Sequence, residues 1–285
     1  MGNLVGVQIT VDTERKMEQV SRMQILISAV NQDKHTLPET MNIQCDAVVV
    51  NQCGRIGKEV FRWRGHKILW IDSDERGVGR SRNRALHAAD HEFLQFADED
   101  IRYHDGYVSE IEKEFDLHPE AEMFLCDIKR SEERAGQLNT SFHRVNWTNY
   151  GRYGTWAICA RTESIKKHKI VFSRMFGGGA HYGAGEDSLF LHDCLKYGVR
   201  MYSQPIELGV ESDRPSTWFH GYNEKYFYDM GVLYHFLYGP MAIPFGARNI
   251  LKYSSDTSPD IAPFHGFRLL CAGVLKGKSF DRRKR

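Results

Sequence analysis

The stretch Glu92-Phe-Leu-Gln-Phe-Ala-Asp-Glu-Asp-Ile101 places an acidic triplet directly beyond a short apolar run. Residues 92–97 are aromatic and apolar over strand length, the pattern of a buried strand that stops where the carboxylates begin. If the chain stays extended for one more step, Asp98 and Asp100 share a side. Two carboxylates held together repel unless a cation neutralises them, and hard oxygen ligands in small number suit Mg²⁺ or Mn²⁺ shared with substrate phosphates. Read alone, the triplet is equally well an acidic turn. Its neighbours tip the balance.

Upstream, Gln24-Ile-Leu-Ile-Ser-Ala-Val30 is a strong buried strand ending at Asn31-Gln32. A second follows at Asp46-Ala-Val-Val-Val50, ending at Asn51-Gln52, and a third at Lys67-Ile-Leu-Trp-Ile71. Gly77 and Gly79 then lead into a helical pattern over 80–89. Strands of this length, spaced by roughly 20–25 residues and alternating with helical stretches, predict a parallel sheet in an α/β fold. In such sheets ligands sit beyond the carboxyl ends of the strands. Asn31, Asn51, Asp72 and Asp98 all fall there, and that convergence predicts a site.

Composition narrows the class. The 285 residues carry a net charge of +1, with 41% hydrophobic and 26% charged residues, which is ordinary globular composition. No global field selects nucleic acid as a partner. Six cysteines (Cys45, Cys53, Cys126, Cys159, Cys194 and Cys271) include no C-x-x-C pair, and several sit in apolar runs as small hydrophobes. A reduced, cytoplasmic setting is expected. No signal-like N-terminal run and no window near the ~20 apolar residues of a membrane span is seen.

The second half is more mixed. Residues 107–118 predict an amphipathic helix, 122–126 a strand and 130–150 a polar excursion. Residues 155–160 read as a strand, with Thr162 capping a short helix. A glycine cluster, Gly177-Gly-Gly179, and Gly183-Ala-Gly-Glu-Asp187 open into a helix with an apolar stripe at Leu189, Phe190, Cys194 and Leu195, closed by Gly198. Glu186 and Asp187 at that helix start are either a plain cap, favoured by the free N–H groups, or a general base at a pocket mouth. Arg76, Arg80, Arg82 and Arg84 surround the first long helix start, a phosphate site or a solvated basic face; for Arg84 the solvated face is expected. Between 202 and 238 aromatics are dense, with core packing expected for Phe227, Leu233 and Phe236, and accessibility for Trp218 and His220.

In this order the pieces resemble family 2 of the glycosyltransferases, with the GT-A fold. The resemblance runs over about residues 23–238, through strands ending at Asn31 and Asn51, and Gly77-Val-Gly-Arg-Ser-Arg-Asn83. Asp98-Glu-Asp100 is similar to the family's DxD motif and Glu186-Asp187 to its ED motif. It implies a mostly parallel central sheet flanked by helices: one domain over 1–240, with a nucleotide-sugar half at 23–105 and an acceptor half at 106–240. An extension follows at 241–285. It further implies that Asn31, Asn51, Arg82, Asn83 and Asp98 border the nucleotide, and that Asp98 and Asp100, with His220, hold Mn²⁺ or Mg²⁺. Asp187 is implied as the general base and Glu186 as its support. Asn51 is a departure, since the family usually has an acidic residue there against the base.

The activity this implies is inverting transfer from a nucleotide-sugar donor, UDP-linked, to a hydroxyl of a growing bacterial surface glycan or a lipid-linked oligosaccharide. The glycine-rich 177–185 loop is expected to order over the bound donor. A sugar-nucleotide nucleotidyltransferase is the rival enzyme, but its expected glycine-rich loop after the first strand is absent from Asn31-Gln-Asp-Lys-His35. A non-catalytic carbohydrate- or nucleotide-binding module is the other rival. Residues 267–276 are apolar with flanking cations, and the chain ends Asp281-Arg-Arg-Lys-Arg285. This is either a basic amphipathic segment lying on the inner face of an anionic membrane or a packed helix with a basic tail.

Overall fold

The structure is a computed structural model that describes residues 21–130, 138–212, 221–253 and 261–280. Four apolar strands form its centre: β1 (Met23–Val30), β2 (Asp46–Gln52), β4 (His66–Ser73) and β5 (Phe93–Asp98). They lie in the order β4-β2-β1-β5 and are parallel throughout. The remaining strands are β3 (Gly57–Trp63), β6 (Ile101–Tyr103), β7 (Met123–Lys129), β8 (His143–Arg144), β9 (Ile158–Arg161) and β10 (Met201–Glu211). The full order is β3-β4-β2-β1-β5-β9-β7-β10-β6, with β8 also on β10. Strands β7 and β10 run with the central four, while β3, β6, β8 and β9 run against them.

Strands β1, β2 and β5, buried on both faces, read as continuous apolar runs, while β4 is half-buried on one face; side chains alternate between two cores. Ile25, Ile27 and Ala29 join one core with α1 (Leu37–Thr40) and α3 (Tyr107–Leu117), where Phe93 stacks on Phe115 at 4.4 Å between ring centroids. Leu26, Val48 and Val50 join the other with α2 (Val78–Ala88), α4 (Thr162–Lys166) and α5 (Glu186–Lys196). Near its start, the backbone of α2 presses on the 172–173 segment. A Cβ on Gly79 would lie 2.0 Å from the Ser173 carbonyl oxygen, so no side chain fits there.

The sequence reading departs from the structure in several places. The chain does not stay extended after Asp98: residues 99–100 turn, and Glu99 folds back to accept the Val30 N–H at 2.6 Å. Asp98 and Asp100 therefore do not share a strand face. Residues 155–157 form a 3-10 turn, leaving only Ile158–Arg161 as strand. Thr162 is the first residue of α4 rather than its cap, and no side chain caps that helix. Strand β3 was not foreseen, because the sheet edge exposes it and its pattern is mixed. Nor was β10, whose Pro205 and register shifts interrupt the strand pattern.

The expected packing of Phe227, Leu233 and Phe236 is met in α6 (Glu224–Tyr238). Helices α7 (Ala242–Tyr253) and α8 (Pro263–Lys278) pack onto it, burying Phe227, Ala242, Ile250, Leu270 and Val274 together. The α6 and α8 backbones touch: a Cβ on Gly273 would lie 2.1 Å from the Tyr228 carbonyl oxygen. Residues 263–278 are thus a packed helix. Among the described residues no helix is long and apolar enough to cross a membrane. The six cysteines are free thiols.

Candidate active site

The carboxyl ends of β2, β4 and β5 carry two clusters of polar side chains. The first is ionic and spans the chain. Arg82, on the inner face of α2, is 6% exposed and holds Asp98 Oδ1 at 2.7 Å through Nη2 and Glu186 Oε1 at 2.8 Å through Nη1. Burial works against the Arg82 charge, but Asp98 and Glu186 outweigh it and raise its pKa above the ordinary value. The guanidinium thus joins the acidic triplet to the helix-start pair, 104 positions away in the case of Glu186.

Gly177 packs directly against this pair. A Cβ there would lie 2.7 Å from the Glu186 carboxyl group, and φ is +101° besides. The loop carrying it is held by two hydrogen bonds: the Val78 N–H donates to the Gly178 carbonyl at 2.8 Å, and the Gly183 N–H to Asp229 at 3.0 Å.

Asp187, next to Glu186 in the first turn of α5, is half-buried and accepts the Ser188 N–H at 2.6 Å. Burial, reinforced by the Glu186 carboxylate, pushes the Asp187 carboxyl up to about 7. A carboxylate with that affinity for protons is matched to taking one near neutral pH.

The second cluster lines an open cavity of about 490 Å³ between the loop after β1 and the ends of β2, β3 and β4. Asn51 is 1% exposed and fully occupied. Its Oδ1 accepts the Gln32 N–H at 3.0 Å, and its Nδ2 donates to the Gln32 carbonyl and to Asp72 Oδ1, both at 3.1 Å. Asp72 also accepts from Trp70 Nε1 at 2.9 Å. Burial alone would raise the Asp72 pKa, but hydrogen bonds from Trp70, Asn51 and Cys53, with Arg55 nearby, hold it below the usual carboxylate value. The acidic group expected at position 51 stands one strand over, at its register partner Asp72.

The other expected residues are placed as follows. Asn31 is exposed just past β1 with φ of +53°, a left-handed conformation that Asn adopts more readily than most residues. Asn83 is spent on backbone: Nδ2 donates to the Phe172 carbonyl at 2.9 Å and Oδ1 accepts the Phe172 N–H at 2.7 Å. Asp100 sits in the turn after β5, where its carbonyl accepts the Ser212 N–H. Arg84 is exposed, as its solvated-face reading expects. His220 and Trp218 lie outside the described residues. Sequence reasoning missed Trp70, Arg55 and Lys34 as cavity walls; Asp72 alone carried a signal, its place at a strand end.

For the expected divalent ion, no three His, Cys, Asp or Glu side chains converge among the described residues. The chain supplies carboxylates at Asp98 and Asp100. Such a set fits an ion that takes its other ligands from a diphosphate and water, as Mg²⁺ and Mn²⁺ do, and does not fit a closed protein cage.

No protein-family model matches the chain, and no curated protein does either. Solved structures do. S. aureus TarS 1–349 in complex with UDP-GlcNAc superposes with a TM-score of 0.54 and 17% identity, over 92% of this chain and 74% of that one. The same protein in complex with UDP gives 0.52 and 16%, over 92% and 73%. A longer TarS structure gives 0.52 and 16%, with 44% of it covered. Likeness at this level of identity speaks to architecture, and the architecture of this chain is the GT-A fold.

Proposed function

We propose that this chain is a metal-dependent, inverting glycosyltransferase of the family 2 type. It moves a sugar from a nucleotide-sugar donor, UDP-linked, to a hydroxyl of a bacterial surface glycan or lipid-linked oligosaccharide. The observation that carries this reading is the Arg82 bridge, which brings Asp98 and the Glu186-Asp187 pair to one place at the sheet's carboxyl edge. The bound UDP-GlcNAc of TarS supports the uridine donor.

Three strand spacings, roughly 14 Å, separate the end of β4 from that of β5. A donor lying along the edge has its base in the cavity beside Asn51 and Asp72 and its diphosphate beyond Asp98. Asp98 and Asp100 would hold a divalent ion, which would supply neutralisation of the charge on the departing nucleoside diphosphate. Arg82 keeps Asp98 and Glu186 in place and stops their mutual repulsion. Asp187, made basic by burial and by Glu186, accepts the proton of the incoming hydroxyl. The hydroxyl oxygen bonds to the anomeric carbon as the bond to the diphosphate breaks, through an oxocarbenium-like state. Attack opposite the leaving group inverts the configuration.

The face of α7 and α8 supports peripheral contact with an anionic membrane. Phe245, Leu251, Phe264 and Leu275 are exposed beside Arg248, Lys276 and Lys278, and neither helix contains Asp or Glu. Co-sedimentation with anionic but not neutral vesicles is the expected result.

The test of the reaction is release of UDP from UDP-sugars with Mn²⁺, wild type against Asp187→Asn. The variant is expected to lose about 10²–10⁴-fold in rate, while its UDP-induced stabilisation stays at about 2.7 kcal/mol at 100 times the dissociation constant. Near-full turnover in the variant overturns the base assignment. Nucleotide binding without turnover in either protein favours a binding module.

A further inference from the structure

We infer that Phe280, two residues beyond the end of α8, is a positioning residue for the transfer reaction: it braces the glycine-rich 175–185 segment that sets the Glu186 carboxylate. This rests on the transferase reading of the Glu186-Asp187 pair. The segment is moulded on α6. A Cβ on Gly185, where φ is +110°, would lie 2.5 Å from the Leu233 side chain, and the Gly183 N–H donates to Asp229 at 3.0 Å. Helix α8 is in turn clamped to α6 by backbone contact, since a Cβ on Gly231 would lie 2.1 Å from the Leu270 carbonyl oxygen. Near its end Gly277 sits against His235, where a Cβ would come within 2.6 Å of the His235 side chain. The last turn of α8 is thereby fixed, and Phe280 follows it onto the glycine-rich segment.

Phe280 is half-buried, and its ring meets Tyr182 edge to face, 6.4 Å between centroids and 76° between planes. Tyr182 is 2% exposed, stacks on Phe176 at 5.0 Å, and ties the two arms of the segment together. Its N–H donates to the Met175 carbonyl at 3.0 Å, and its carbonyl accepts the Gly177 N–H at 2.9 Å. Gly177 packs on Glu186 with no room for a Cβ between them. A short route therefore joins the far end of α8 to the carboxylate that Arg82 holds: Phe280, Tyr182, Gly177, Glu186. Phe176 and Tyr182 share an apolar cluster with Leu189, Val232 and Phe236, and Phe280 packs against it. Interiors packed this closely pass a displacement on rather than absorb it. Removing the ring frees Tyr182 and lets Gly177 and Glu186 shift beside Asp187.

Phe280→Leu, Phe280→Val and Phe280→Ala are compared with wild type in UDP release from UDP-sugars with Mn²⁺, UDP binding by calorimetry, and residue-resolved amide hydrogen exchange. As the side chain shrinks, kcat is expected to fall stepwise, by about 10- to 100-fold at Phe280→Ala, the effect of a displacement on the order of 1 Å. Phe280→Leu, which keeps an apolar contact, stays close to wild type, and UDP affinity is the same in all four proteins. Exchange at Gly177 and Tyr182 quickens in the same order, by about 10-fold at Phe280→Ala, while Ile25 and Ile27 in β1 keep wild-type rates. A rate loss accompanied by faster exchange at β1 is general destabilisation and overturns the inference, as does a loss confined to UDP affinity. Wild-type turnover in Phe280→Ala overturns it without touching the transferase reading. No turnover in wild type itself overturns both. Where Phe280→Ala fails to fold, Phe280→Val reads the same quantities.

Discussion

Beyond β5, Arg82 is 6% exposed and holds Glu186 and Asp98 through its two Nη groups; beyond β4, Asp72 has an exposed Arg55 3.9 Å away and open cavity in front of it. Both places hold carboxylates at strand ends, and both read alike in the sequence. They are used in opposite ways. In the first, the protein neutralises its own charges, which fixes geometry at the start of α5. In the second, an ionised group is oriented by Trp70 and Asn51 and faces an open cavity.

The largest expected effect follows from that contrast. Arg82→Met leaves Asp98, Glu186 and Asp187 together without their cation, and should cost about 3–5 kcal/mol of unfolding free energy by urea denaturation. Arg55→Met at the open end should change stability by less than about 0.5 kcal/mol. Similar losses at both positions would erase the distinction between a self-neutralised and an open end.

Asn83→Ala probes how the self-neutralised end is anchored. Asn83 ties α2 to Phe172 through two hydrogen bonds, and Phe172 stacks on Phe190 of α5 at 4.1 Å. Its loss should cost about 1–3 kcal/mol, with donor binding unchanged when measured on the folded fraction. If binding falls while stability holds, Asn83 faces the nucleotide and the anchoring account fails.

Titration sharpens the comparison further, because the two carboxylates shift in opposite directions. Burial and the Glu186 carboxylate raise the folded Asp187 pKa to about 7, above the ordinary aspartate value of about 3.9, so the folded state holds this proton more tightly. Its contribution to stability is complete below about pH 4 and is lost as pH rises through 7, at no more than about 1.4 kcal/mol per pH unit. Asp72 is shifted below 3.8, so its contribution is present above that value and is lost as pH falls. Relative to wild type, Asp187→Asn should gain stability and Asp72→Asn should lose it as pH rises above about 4, so their melting-temperature differences take opposite signs. Transfer itself should rise with pH with an apparent pKa near 7; a flat profile between pH 5 and 8 would remove Asp187 as the base.

The four central strands were legible because β1, β2 and β5 are buried on both faces and β4 on one, and an apolar run bounded by Asn or Asp is a local signal. Helices α2, α3 and α5 were legible from their apolar stripes and glycine boundaries. Strand β3 was not: at the sheet edge it exposes Lys58, Glu59 and Val60, so burial imposes no pattern on it. The turn at 99–100 was not legible either, since Glu99 turns back for the Val30 N–H, a partner 69 positions away. Residues 263–278 have the composition of a surface helix, and only the close glycine contacts with α6 reveal the packed face.

Sequence by itself determined where the parallel strands run, that carboxylates and amides cluster at their carboxyl ends, and that a glycine-led helix starts with Glu186-Asp187. Those features depend on neighbours within a turn or a strand. Which polar groups are spent and which remain open was decided only by tertiary structure. Glu186 takes its cation from position 82, Asn51 gives its amide to Gln32 and Asp72, and Asp72 faces the cavity beside Gly57, which has no side chain to cover it. A side chain has few hydrogen-bonding valences, and groups remote in the chain but adjacent in the sheet claim them.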